Sequence, residues 1–249
     1  MSRLSGALPI FLREMQLFRV KLSRPTYVVS ALVTPLMYLL VFGLGLGRQV
    51  RIGGGDYLSF LVPGLIGMTA MNNAFNWVAN AVNFSRFYYR TWTLVLLAPV
   101  SPLAICAGHV AAGIARGLIA TALVAAAGFA AGWRPTPTLL FPLALLLEMA
   151  CFSALGLLVG IKTKTSEEHM AYTNFLITPM GFFCGTFFPL DGLPGWLAQP
   201  MLLSPLTQAN IALRLPAFTG EALVALGALA AFTALFLLFA VKAVASYAE

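Results

Sequence analysis

The stretch 182–214 is apolar enough to enter a bilayer and too interrupted to cross it as one helix. Pro189, Asp191, Gly192 and Pro194 break it early, Pro200 and Pro205 break it again, and Pro216 follows just beyond. Each proline removes a backbone donor and clashes with the preceding turn, and lipid supplies no replacement partner. Non-helical backbone survives at membrane depth only where protein buries it or water reaches it. The segment is therefore expected to dip rather than span, at the mouth of a passage, with a helix bundle built around it.

The remainder of the chain agrees with a membrane setting. Its 249 residues are 60% hydrophobic and 9% charged, with mean hydropathy +0.88, where an ordinary soluble domain carries about 25% charge. At about 20 residues per crossing there is room for roughly six crossings and for no sizeable soluble domain. Any energy source is then expected on another chain. The net charge of +7 is carried by basic residues between apolar spans, which set orientation and do not call for nucleic acid. Ten of the fifteen Lys and Arg fall on the side of the termini and four on the other, with Arg116 inside a span. The positive-inside rule puts both termini in the cytosol and the broken stretch outside. Arg13, Glu14, Arg19 and Lys21 interrupt what would be the apolar region of a cleavable signal, so the mature chain is expected to begin at Met1. Cys106, Cys151 and Cys184 lack metal or disulfide spacing and read as small core residues.

The expected fold is an all-α membrane protein. An amphipathic helix over 3–24 gathers Leu4, Leu8, Phe11, Met15, Phe18 and Leu22 into one stripe, with Arg13, Glu14, Gln16 and Lys21 falling away from it. It lies in the cytosolic interface or packs on a partner protein. Six membrane helices follow, over 26–47, 57–82, 103–131, 138–161, 170–188 and 221–244. Gly113 and Gly117, four apart, permit close approach of a neighbouring helix.

Polar residues inside the spans are the candidate functional groups. Thr69, Asn72, Asn76, Asn80 and Asn83 recur at spacings of three and four and form one polar face. That face either hydrogen-bonds a neighbouring helix or forms a polar wall of a translocation route; Asn72, Asn76 and Asn80 are the candidates for such a wall. Arg116 and Glu148 fall near the middle of the third and fourth crossings at similar counted depth, and an isolated charge there costs at least about 2.5 kcal/mol. They are expected to pair, as a structural bridge or, alternatively, as part of a proton relay. Arg86 and Arg90, among Phe84, Phe87, Tyr88, Tyr89 and Trp92, make a cytosolic turn that anchors a helix end or docks a motor. Glu167 and Glu168 are the only adjacent carboxylates; they read as a solvated loop more readily than as an acid and base pair. Gly160, Lys162 and Thr163 do not have the spacing of a phosphate-binding loop.

Two motifs carry a family resemblance. Phe182 to Pro194, FFCGTFFPLDGLP, followed by Pro205-Leu206 and Arg214, and Thr93 to Pro102, TLVLLAPVSP, are similar to the membrane subunits of type-2 ABC exporters, among them nodulation-factor, drug-resistance and polysaccharide export permeases. The family often has an acidic residue where Val95 stands and a histidine where Gln208 stands. The resemblance implies a non-catalytic permease of the bacterial inner membrane with no cofactor of its own, ATP being bound by separate cytosolic ABC ATPase subunits. A second copy or a sister permease would complete the path, with membrane lipids around it. It further implies a coupling helix over 83–97, with Arg86, Arg90 and Trp92 against the ATPase. A re-entrant outer helical hairpin over 189–216, between helices 5 and 6, would form an outer gate at Phe187, Phe188, Pro189 and Asp191.

Two other classes stay open at this stage. An ion-coupled secondary transporter needs several ionisable groups near midplane. A lipid-modifying enzyme needs a cluster of acids, histidines or metal ligands at one interface, toward which Cys106 and His109 offer two weak ligands. The aromatic residues Phe182, Phe183, Phe187, Phe188 and Trp196 suit a sugar, a lipid or a drug, and equally a membrane boundary.

Overall fold

The computed structural model describes residues 6–23, 33–46, 51–52, 55–135 and 138–248. Apart from a two-residue β pair, Arg51–Ile52 with Gly55–Asp56, the described chain is helical. In order it comprises α1 (Ala7–Leu22), α2 (Val33–Gly43), α3 (Tyr57–Phe87), α4 (Trp92–Leu97), α5 (Pro102–Ala130) and α6 (Leu140–Lys162). These are followed by α7 (Ser166–Tyr172), α8 (Thr178–Phe183), α9 (Gly195–Leu202), α10 (Pro205–Arg214) and α11 (Gly220–Ala248).

Among the described residues, α3, α5, α6 and α11 are long and apolar enough to cross a membrane. They match the expected crossings 57–82, 103–131, 138–161 and 221–244, with α3 and α11 running several residues further. The bundle is centred on α3 and α6, whose apolar windows are 67% and 78% buried, against 22% in α11. Gly113 and Gly117 allow the close approach their spacing predicts: a Cβ at Gly113 would collide with Ser153, and one at Gly117 would meet the Met149 sulfur at 2.9 Å.

The first expected crossing, 26–47, lies partly outside the described residues; its described part passes into π geometry over Leu39–Leu46. In place of the fifth, 170–188, one helical run built from α7, a π turn at Thr173–Ile177 and α8 covers 166–183, and residues 184–188 form a turn. Pro179 lacks the N–H that would bond back to the Phe175 carbonyl, which accounts for widening of the ladder at this point. Chain entry into α7 is fixed by a reciprocal cap. The Thr165 hydroxyl accepts from the Glu168 amide at 3.1 Å, and Glu168 Oε2 accepts from the Lys164 amide at 2.7 Å. Glu168 thus serves as a helix cap.

The expected helix 83–97 is divided. Asn83 to Phe87 belong to α3, a turn follows in which Arg90 takes φ +50, and α4 starts at Trp92. The broken stretch has the form its prolines dictate: a single 3-10 turn at Leu190–Gly192, then α9 and α10, with no continuous helix. Helix α10 packs on α3, α6 and α11.

The amphipathic α1 buries a different face from the one its stripe suggests. Ile10, Glu14 and Phe18 face the bundle, while Leu8, Leu12, Leu17 and Val20 stay exposed. Gly108 on α5 makes this possible, because a Cβ there would come within 2.8 Å of the Ala7 carbonyl oxygen and of Ile10. The close α5 backbone selects the Ile10 face, and the exposed leucines are left for an interface.

Candidate functional site

Between α1, α3 and α5 lies a cavity of about 850 Å³. Asn72, Asn73, Asn76, Trp77 and Asn80 of α3 form one wall; Arg13, Glu14, Leu17, Val20 and Lys21 of α1 form another; Arg116 of α5 closes the end. The polar face expected of the second crossing is therefore a cavity wall. Its amides turn inward along their own helix: Asn72 donates to the Met68 carbonyl, Asn73 to Thr69 and Asn76 to Asn72, at 2.9, 2.9 and 3.0 Å. Bonding to a neighbouring helix also occurs on the same face. The Ser166 hydroxyl donates to Asn83 Oδ1 at 3.1 Å, and that of Thr173 to Asn76 Oδ1 at 3.5 Å. Sequence periodicity found Asn72, Asn76 and Asn80 but missed Asn73 and every contribution from α1. The missed signal was Glu14, an acid four residues from both Ile10 and Phe18 on one helical face.

Arg116 and Glu148 do not pair. The Arg116 guanidinium lies over the Trp77 ring and 3.9 Å from the Phe18 ring centroid. Glu148 is fully buried at the other end of the cluster, where a Cβ on Gly67 would meet Asn210 Oδ1 at 2.8 Å and Glu148 Oε1 at 3.5 Å. Neither Glu148 oxygen has a hydrogen-bond partner among the described residues. The cause is side-chain direction. Helical side chains tilt toward their own N-terminus, and α5 and α6 run antiparallel, with Gly113 beside Ser153 and Gly117 beside Met149. Two residues that start level therefore lean away from each other.

Of the residues expected against an ATPase, only Arg90 is presented freely. Arg86 Nη1 donates to the carbonyls of Gly160 and Thr163 at 2.7 and 2.8 Å, capping the C-terminal end of α6 with positive charge. Trp92 is 2% exposed, with its ring 6.1 Å from His109, so it is a core anchor and offers no contact surface. Arg13 ties α1 to the same turn by donating to the Thr91 hydroxyl at 3.2 Å.

The expected outer gate divides in the same way. Phe187 is buried in an aromatic cluster, its centroid 5.1 Å from Tyr38, 4.8 Å from Phe42 and 5.5 Å from Phe182. Phe188 and Pro189 are half-buried and Asp191 is exposed. The turn between α8 and Pro189 satisfies its backbone through side chains. Asn210 donates to the Cys184 carbonyl at 2.9 Å, Tyr57 to that of Phe187 at 2.9 Å, and Arg214 to that of Thr186 at 3.3 Å. Arg214 Nε also reaches the Phe60 carbonyl at 3.1 Å. Gly185, at φ +78, supplies the left-handed step in this turn. Arg214 was part of the motif in the sequence, but its stapling role was not legible there.

Comparison with known proteins agrees with this architecture. The ABC-2 type transporter family model matches residues 10–218. The chain is 33% identical over 181 residues to the inner membrane transport permease YadH of Escherichia coli strain K12, covering 72% of this chain and 70% of that one. It is 29% identical over 203 residues to nodulation protein J of Rhizobium meliloti strain 1021, covering 80% and 77%. The corresponding protein of Rhizobium leguminosarum bv. trifolii is 32% identical over 171 residues, with 67% and 64% covered. With four apolar spans among the described residues, a proline-broken segment and a family match across most of its length, the chain belongs to the ABC-2 type transporter family, as a membrane permease subunit.

Proposed function

We propose that this chain forms half of the translocation path of an ATP-driven exporter, carrying an amphipathic substrate out of the cytosol. A drug, a lipid or a lipid-linked saccharide fits this description. The observation that carries the reading is the cavity between α1, α3 and α5, whose asparagine wall lies on a helix at the centre of the bundle. A polar wall beside the exposed leucines of α1 suits a molecule with a polar head and an apolar tail. Two cytosolic ABC ATPases bind and hydrolyse ATP, and a second copy or a sister permease faces this one. Both termini are cytosolic. The six-crossing topology and the outer placement of α9 and α10 as a re-entrant hairpin belong to the same proposal.

Arg90 and the exposed end of α4 meet the ATPase, and closure of the motors moves the two permeases as rigid bodies. The test is transport into inverted vesicles carrying the permease with its ATPase. Uptake that requires ATP, survives a proton ionophore and stops when the ATPase Walker lysine is replaced supports the proposal. Uptake by the permease alone, driven by an ion gradient, favours a secondary transporter and overturns it.

A further inference from the structure

Glu148 lines no part of the cavity between α1, α3 and α5. It is fully buried on α6, and Asn210 of α10, 1% exposed, faces the same glycine of α3. A Cβ on Gly67 would meet Asn210 Oδ1 at 2.8 Å and Glu148 Oε1 at 3.5 Å, so the two oxygens border one small space that a glycine leaves open. Both Glu148 oxygens and Asn210 Oδ1 lack a hydrogen-bond partner among the described residues. Three acceptors thus meet in a dry place with no donor between them.

The elements packed around Glu148 carry few ionisable groups, and each has its own place. Helix α3 has none between Tyr57, whose hydroxyl donates to the Phe187 carbonyl, and Arg86. On α10 the one charged group is Arg214, which donates to the Phe60 and Thr186 carbonyls. Cys106 and His109 of α5 lie beyond Gly113, which meets Ser153, and Arg116 lies at Trp77. Glu221, Lys242 and Tyr247 fall toward the ends of α11. On α6 itself Cys151 is a buried thiol and Lys162 ends the helix; Cys184, in the turn after α8, sets its sulfur 3.9 Å from that of Met201. A bare carboxylate buried without donor or counter-charge is not tolerated at this depth. Hard metal ions take about six oxygens or more, and three from two side chains fall short.

We infer that this is a site for a single proton: Glu148 is carried as the neutral acid, and its hydroxyl donates to Asn210 Oδ1, directly or through one bridging water. Asn210 in turn donates to the Cys184 carbonyl at 2.9 Å and to the Thr186 hydroxyl at 3.4 Å. One proton completes a chain of hydrogen bonds from α6 through α10 to the turn after α8. Its removal sets a carboxylate against Asn210 Oδ1, acceptor against acceptor, and parts α10 from α6. No other acid lies on α3, α5, α6 or α10, so the proton is held and not relayed. The inference stands apart from the exporter reading, since it needs neither substrate nor ATPase.

The test is the infrared spectrum of the full chain in an ester-free detergent at about pH 7.5, where a solvated glutamate is ionised, taken as the difference between the native protein and Glu148→Gln. The expected result is the carbonyl stretch of one protonated carboxyl group in the native chain, shifted in deuterium oxide. In Asn210→Leu this band is expected to move to higher wavenumber, because the acid has lost its acceptor. The paired bands of an ionised carboxylate in place of that stretch overturn the inference, whether or not they move when sodium replaces potassium. A band unmoved in Asn210→Leu overturns it too, because the acid then makes no bond to α10.

Amide hydrogen exchange on α10 gives a second readout should Asn210→Leu fail to fold. Glu148→Leu, which fills similar space without a donor, is expected to speed α10 exchange about tenfold, the loss of one hydrogen bond. Glu148→Gln, which keeps a donor, is expected to leave it unchanged. A merely structural role predicts the opposite for leucine, since an apolar side chain relieves a buried unsatisfied acid. Exchange in Glu148→Leu no faster than in the native chain, or in Glu148→Gln as fast as in Glu148→Leu, overturns the inference.

Discussion

Arg116 and Glu148 sit on facing antiparallel helices and reach α3 at Trp77 and Gly67, ten positions or about 15 Å apart along its axis. Each finds its own surroundings: aromatic rings and the cavity for the arginine, Asn210 for the acid. Exchanging the charges, Arg116→Glu with Glu148→Arg, is therefore expected to be as destabilising as the two single changes together, and not to restore stability. Glu148→Gln is expected to be tolerated within about 1 kcal/mol, because the amide supplies a donor to a cluster in which both Glu148 oxygens and Asn210 Oδ1 lack one. Thermal unfolding of the purified variants in detergent checks both statements.

Arg214 joins α10 to the turn after α8 and to α3 through the Thr186 and Phe60 carbonyls. Arg214→Met leaves these carbonyls unsatisfied and is expected to cost about 2 to 4 kcal/mol, while Arg214→Lys recovers only part because it lacks the planar fork. Cys184, buried in the wild type, should then react with a thiol reagent at a rate that follows Met > Lys > wild type.

Arg90 takes φ +50, a conformation costing a non-glycine residue roughly 1 to 2 kcal/mol. Arg90→Gly should leave the permease at least as stable as the wild type and still lower ATP-coupled transport, about tenfold for a docking loss of about 1.4 kcal/mol. Trp92→Ala should instead lower expression and melting temperature, by about 3 to 5 kcal/mol, as expected of a large core truncation. Measuring coupling and melting temperature on both variants separates a contact residue from a core anchor.

His169 is 5% exposed, its ring stacks 6.4 Å from Phe75, and its Nδ1 has no partner among the described residues. Burial holds its pKa below the ordinary 6.5. The folded protein therefore binds this proton less readily than the unfolded chain. Its contribution to stability is complete above pH 6.5 and is lost as pH falls from there toward the lowered folded value. His169→Gln should flatten this part of the melting-temperature profile, which unfolding scans from pH 7.5 down to about 5 will show.

What sequence conveyed and what it withheld follow from the range of the interactions. Proline spacing dictated the break into α9 and α10, and the period of Asn72, Asn76 and Asn80 dictated a polar face, because both are local properties of sequence; whether that face lined a cavity or bonded a neighbour was left open, and it does both. The Arg116 pairing failed because counting along helices gives Cα depth and ignores side-chain tilt. The stripe of α1 was misjudged because Gly108, on another helix, chooses which face is buried. Trp92 resembled an exposed interfacial aromatic, and only its packing beside His109 shows it to be core. Arg86 likewise bonds carbonyls of α6 some 74 and 77 positions away, which no local pattern encodes.

The central claim is that substrate passes along the α3 wall under power from a separate ATPase. Its most direct measurement is ATP-driven transport by Asn76→Cys in complex with that ATPase, before and after reaction with a bulky thiol reagent, against the unreacted native cysteines as control. Modification is expected to abolish transport while ATP hydrolysis continues. Full transport after complete modification at position 76 would contradict it.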